Sequence, residues 1–342
     1  MRTIRVALML VLLTGLAVGQ QVLDASHENE SSIQAVATTV TTSTHPVERI
    51  VVPTYSDLNC AGFLSQQGRM DSAFVAGGLN TPHATSFSAG QVVYLSGSHF
   101  QEGERITFLR ELRDPNRFEY FAGQRKLVRE TGQPYAELAQ GHVVDTRQSM
   151  AIAHLDFSCA GVAPGDLAVK FISHPKISYR SPEKFDIFAP PNGKTRGRIV
   201  MAKDFDGVLG TGQKVYLTVG SNQGVKVGDY FRITRSYGQE LQDPVDSISF
   251  KASDVEDTQK YPARMGKHWF NRGQGPTIDV REMPRYSVGE LIILGTTPTS
   301  ATGMITFALQ DVHVGDAVEL EPQVTTAQAA AAASSAAPAA SR

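Results

Sequence analysis

Cysteine and tryptophan are nearly missing from this chain, which has two of the first and one of the second in 342 residues. Two cysteines allow one bridge at most, so most of the fold has to be held by packing alone. Charge of one sign is lacking too. With 32 basic against 34 acidic residues the balance is −2, and no bulk field recruits nucleic acid or an anionic membrane. The apolar run Val6 to Val18 has thirteen residues, short of the ~20 that span a bilayer.

Catalytic and cofactor signatures are also missing. No histidine has the H-E-x-x-H or paired Cys/His spacing that marks zinc. Asn192-Gly193-Lys194-Thr195 resembles the end of a Walker motif, but Phe188 stands where its first glycine belongs. Gly210-Thr211-Gly212 reaches Val215 where a dinucleotide loop needs its third glycine, and it precedes a strand instead of a helix. In Gly220-Ser221-Asn222-Gln223-Gly224 the serine comes one place too early for a nucleophile elbow. No cofactor and no metal are expected.

What is there is a repeat. From Thr211 to Arg235, Val215, Leu217 and Val219 alternate with Lys214, Tyr216 and Thr218, the period of a strand with one face in a core and one toward water. A glycine-rich loop and a second alternating run, Tyr230 to Thr234, complete a hairpin. Ala89 to Glu111 has the same layout: Gly90-Gln91 aligns with Gly212-Gln213, Tyr94-Leu95 with Tyr216-Leu217, and Gly103-Glu104-Arg105-Ile106 with Gly228-Asp229-Tyr230-Phe231. Further on, Gly141-His142-Val143-Val144 aligns with Glu290-Leu291-Ile292-Ile293, Ser149-Met150-Ala151 with Ser300-Ala301-Thr302, and Pro164-Gly165-Asp166 with Val314-Gly315-Asp316. The expectation is an all-β chain of two tandem small β-barrels or SH3-like modules made by internal duplication, at 56–173 and 196–321. The Gly-Asp pairs at 165–166, 228–229 and 315–316 read as turns, glycine supplying a positive φ and aspartate accepting from nearby backbone N–H groups.

The flanks read as processing and linking segments. Arg2 and Arg5, the apolar run and Ala17-Val18-Gly19 predict a signal peptide over 1–19, cleaved near Gly19, and a periplasmic or secreted mature chain without a transmembrane anchor. Residues 20–55 read as a flexible leader, containing the glycosylation-type triplet Asn29-Glu30-Ser31. His174 to Thr195, with its Pro190-Pro191 pair, reads as an extended linker, and 322–342 as a disordered Ala/Ser-rich tail. Cys60 and Cys159 lie at the start and near the end of the first module. If the module closes on itself, they come within bridging reach; otherwise they are two buried thiols.

Candidate function concentrates in two insertions at one topological point of each module, Arg110 to Ala139 and Ser236 to Arg285. The second holds His268, Trp269, Phe270 and Arg272; the first holds Tyr120 and Phe121. Aromatics and arginine offer large area with a polar handle, so these residues read either as a partner-binding surface or as a lid folded over a barrel end. His142 and His154, with Asp145 and Asp156 nearby, read as satisfied surface histidines.

The stretch Gly197 to Arg235, continued by Pro284 to Leu320, resembles the C-terminal domain of bacterial flagellar assembly protein T. It is similar also to the module that follows LysM peptidoglycan-binding domains in some envelope proteins. The elements that carry the likeness are Gly197-Arg198-Ile199-Val200, the strand after Gly212, Gly224-Val225-Lys226-Val227-Gly228-Asp229, Val288-Gly289-Glu290-Leu291, the strand through Ala301 and Val314-Gly315-Asp316. The resemblance implies a small all-β, non-enzymatic, envelope-associated module. The expected function is thus an exported non-catalytic envelope protein, binding or scaffolding a protein or glycan partner through its insertions. Two alternatives stand beside it. A secreted cell-wall hydrolase would draw on Asp254, Glu256 and Asp257, which read more simply as a solvated charge run; a structural spacer would need no local site.

Overall fold

The computed structural model describes residues 44–45, 52–66, 73–79, 85–97, 99–177, 185–236, 264–265, 277–278 and 284–322. The architecture is all-β, two closed six-stranded antiparallel barrels in tandem. A short helix, α1 (Tyr55–Asn59), and a strand, β1 (Phe63–Ser65), come first. Barrel one is built from β2 (Ala73–Gly78), β3 (Val92–Ser96), β4 (Arg105–Glu111), β5 (Gln133–Arg147), β6 (Met150–Ser158) and β7 (Leu167–Lys170), with helix α2 (Gln124–Thr131) between β4 and β5. Barrel two is built from β8 (Arg196–Ala202), β9 (Lys214–Leu217), β10 (Tyr230–Arg235), β11 (Tyr286–Thr296), β12 (Ala301–Ala308) and β13 (Ala317–Leu320).

Around barrel one the strands run β2-β3-β6-β5-β4-β7, and around barrel two β8-β9-β12-β11-β10-β13, the same circuit. Alternation explains the closure. Val215, Leu217, Ile199, Phe231, Ile233, Leu291, Ile293 and Ile305 point into barrel two. Val93, Leu95, Ile106, Phe108, Val143 and Leu155 do the same in barrel one.

The turns repeat as well. Gly90, Gly103 and Gly165 have φ of 87°, 79° and 93°, and Gly212, Gly228 and Gly315 have 88°, 88° and 114°. Each exchanges hydrogen bonds with a neighbouring strand: Gly103 N donates to Val143 O and Val143 N to Glu104 O, as Gly228 N donates to Ile293 O and Ile293 N to Asp229 O. The residue after the glycine accepts from the backbone three places earlier, as in Lys226 N to Asp229 Oδ2 at 2.8 Å and His313 N to Asp316 Oδ2 at 2.7 Å. The turn reading of the Gly-Asp pairs therefore describes their geometry. A second device ties each circuit shut. Arg110 and Arg235 clasp Asp166 and Asp316 through two nitrogens each, and each guanidinium also donates to a backbone carbonyl, Gly161 O or Asp311 O.

Three details differ from expectation. Two of the three late matches are displaced by one residue, because Gly141 pairs with Leu155 as Leu291 pairs with Ile305, and Ala151 pairs with Leu95 as Ala301 pairs with Leu217, while Gly165-Asp166 and Gly315-Asp316 correspond as aligned. A slip of one place exchanges the inner and outer faces, so burial fixes the register that short glycine-led matches miss. Strand β2, Ala-Phe-Val-Ala-Gly-Gly, lacks the branched pattern of a strand; its glycine admits a neighbour, since a Cβ on Gly78 would lie 2.3 Å from Phe87 Cε1. Finally, Thr54 caps α1 through a reciprocal pair of bonds with Asp57, so part of the predicted leader belongs to the folded body.

Candidate functional site

The two barrels meet along a seam made of the opening residues of the first module, Asp57 to Leu64, and of the first insertion. After α1 the chain bends at Gly62, where φ is 71°, and β1 joins the edge of β5. Side chains on the outer wall of barrel two donate to this segment in order: Tyr216 Oη to Ala61 O at 3.2 Å, Thr302 Oγ1 to Gly62 O at 2.8 Å and Ser300 Oγ to Leu64 O at 3.0 Å. Lys214 Nζ meets Asp57 Oδ1 at 2.5 Å. Beneath them Ala61, Ile292, Leu294 and Met304 form a buried cluster, with Leu58, Ile177 and Tyr230 at its edge. Alternation predicted Tyr216 on the watery face; it is on that face, but the docked segment buries it completely. Burial, with Glu137 and Asp204 adding to it, pushes the Tyr216 phenol far up.

The first insertion docks on the same barrel. Gln124 Nε2 donates to Val200 O at 3.0 Å, and Tyr120 Oη to Phe205 O at 3.1 Å. Burial first, then the nearby Asp114 and Asp206, raises the Tyr120 phenol. Phe121 is buried among the core residues of barrel two, and the Arg198 guanidinium lies 4.5 Å from its ring centre. Two glycines make the approach possible. A Cβ on Gly207 would lie 2.2 Å from Tyr120 Cε1, and one on Gly315 would lie 2.9 Å from Phe121 Cδ1. Of the two readings of these aromatics, the lid describes Phe121, with the difference that it covers the neighbouring barrel rather than its own. Phe118 is the exposed aromatic of this loop.

Between the seam and the start of the Pro-rich segment lies a cleft of about 410 Å³, lined by Leu58, Phe63, Ile172, His174, Leu294 and Pro298 among others. His174 Nε2 is 2.7 Å from Glu137 Oε1, and the other carboxylate oxygen accepts from Gly62 N at 3.1 Å. That pair holds the Gly62 bend. The Thr302 and Ser300 hydroxyls at the same seam are spent on backbone carbonyls, so the cleft is an apolar recess with one buried imidazole–carboxylate pair in its wall.

Cys60 and Cys159 form a disulfide with Cα atoms 5.5 Å apart. It staples the seam segment to the end of β6. The Pro-rich segment also lies against barrel two: Phe185 is buried and meets the Phe307 ring edge-on at 4.7 Å. Phe185–Asp186 pairs with Thr44–His45, so leader and linker form a two-stranded ribbon. His268, Trp269, Phe270 and Arg272, and the acidic group Asp254, Glu256 and Asp257, lie outside the described residues.

The signal for the seam was present but indirect: Tyr216, Met304 and Ile292 are large apolar side chains on the wall that alternation assigns to solvent. Among the described residues no helix is long and apolar enough to cross a membrane. No family model matches this chain, and no curated protein matches it.

Proposed function

We propose that this chain is an exported, non-catalytic envelope protein that binds or scaffolds a protein or glycan partner through its second insertion, in the periplasm or outside the cell. The observation that carries the reading is the fate of the first insertion. It leaves barrel one between β4 and β5, crosses to the next barrel and buries Phe121 in that barrel's core. The second insertion leaves barrel two between the matching strands, β10 and β11, and carries Trp269 and Phe270. One copy of the device joins the chain to itself; by the same logic its counterpart joins the chain to a partner. The Cys60–Cys159 bridge supports export, because such bonds persist in oxidising compartments.

The test is a pair of alanines, Trp269→Ala and Phe270→Ala, in the full chain. The expected outcome is an unchanged melting temperature with loss of the crosslinked species that a photoreactive group near residue 268 forms in intact cells. Crosslinks that survive the substitutions would remove the second insertion from consideration.

A further inference from the structure

The outer wall of barrel one carries a row of side chains across four strands, Val92, His154, His142 and Arg105, set side by side by strand pairing. The matching row on barrel two is Lys214, Met304, Ile292 and Tyr230. In barrel two this wall is covered by Ala61 and Leu58. In barrel one His142 and His154 are only partly covered, with 41% and 36% of their side-chain surface exposed. Asp156 lies two residues past His154 and so on the same outer face, and it is the unpaired extra residue of a β-bulge, since Leu155 pairs with Gly141 and Phe157 with Gln140. Its carboxylate meets His142 Nδ1 at 2.9 and 3.0 Å and His154 Nδ1 at 3.0 Å. The imidazole rings are 5.6 Å apart between centres.

We propose that His142, His154 and Asp156 bind a divalent transition-metal ion of the zinc class, with solvent or an added ligand completing the coordination. Two imidazole nitrogens and one carboxylate oxygen lie within 4.8 Å of one another. Tetrahedral bonds of about 2.0–2.2 Å set ligand atoms about 3.3–3.6 Å apart, a few tenths of an ångström wider than the nitrogen–oxygen contacts and inside the 4.8 Å that bounds all three atoms. Nitrogen donors favour zinc, nickel, cobalt or copper over calcium and magnesium, which prefer all-oxygen sets. Two ligands sit on directly opposed barrel strands and the third is two residues along, so the backbone already holds them together. The cation on the adjoining strand does not compete for the space: Arg105, paired with His142, stacks its guanidinium 3.5 Å from the centre of the Phe171 ring.

The experiment is calorimetric titration of zinc chloride into the untagged mature chain, with calcium chloride as the comparison and His142→Ala, His154→Ala and Asp156→Asn as variants. The expected result is one zinc per chain, no calcium binding, and at least a tenfold loss of zinc affinity in each variant. Should a variant fail to fold, the wild type still decides: zinc is expected to protect His142 and His154, and not His99, from diethyl pyrocarbonate as read by mass spectrometry. Absence of binding at millimolar zinc, affinity unchanged in the variants, or equal modification of all three histidines overturns the proposal.

Discussion

Barrel one and barrel two share a strand circuit, three glycine turns and an arginine–aspartate clasp, yet the same outer wall has opposite surroundings in each. On barrel two it is Tyr216, Ile292 and Met304 under a docked segment. On barrel one it is Tyr94, His142 and His154, none of them fully buried. The duplication therefore preserved what closes a barrel and released what coats it. Closure depends on inward side chains and turn geometry, which tolerate little change, whereas the outer wall is free to follow whatever it touches.

The largest break in this comparison comes from Cys60→Ser with Cys159→Ser. The bridge closes a loop of 99 residues, so its loss is expected to cost about 4–5 kcal/mol in the chain-entropy model. Barrel two, without a cysteine, is expected to respond little. Denaturant melts with and without reductant, followed through hydrogen exchange in each barrel, show whether the effect stays on the first half.

Next come the clasps. Arg235 and Asp316 expose 7% and 4% of their side chains, against 39% and 6% for Arg110 and Asp166. Arg235→Met leaves a carboxylate buried without its main partner and is expected to cost about 3–4 kcal/mol. Arg110→Met opens a path for water to Asp166, and about 1–2 kcal/mol is expected. Equal losses in urea melts would mean that the clasps differ in appearance only.

Phe121→Ala removes a ring from the core of the other barrel, at an expected cost of about 3 kcal/mol. It also loosens the seam, so calorimetry is expected to show one transition for the parent and two for the variant. The smallest effect is on acid stability. Burial raises the Asp57 carboxyl, but the hydrogen bonds from Lys214 and Thr54 outweigh it and hold it below its ordinary range. Burial likewise raises Glu319, and Arg285 and Arg196 more than reverse this. Each depressed group contributes stability that is present above its unfolded value, about pH 4, and lost as pH falls through its folded value. Acid titration of Asp57→Asn is expected to show a shallower loss below about pH 4 than the parent.

How much of this the residues announced depends on the kind of signal. Val215, Leu217 and Val219 declare their strand by alternation. The bridge was foreseen because closure of the module implies it. Strand β5 begins at Gln133, inside the stretch that reads as an insertion, Arg110 to Ala139; Pro134 reads as a breaker, and it is tolerated near the strand's start. Tyr216, Ile292 and Met304 hint at a covered wall, but what covers it is hidden, because Ala61, Gly62 and Leu64 contribute backbone carbonyls and a carbonyl has no letter. Phe121 was singled out for its chemistry, but nothing in its neighbours says whose core it enters. Alternation puts His154 and Asp156 on one face, but the pairing of His142 with His154 across strands depends on a register that the sequence does not print.

The Phe121 contact has a consequence for how the halves can be handled. A chain severed near Lys194 would leave a foreign-looking aromatic on one fragment and an unroofed strip of tyrosine, isoleucine and methionine on the other. Each half thus carries surface shaped by the other, and a severed half would expose what its neighbour now covers.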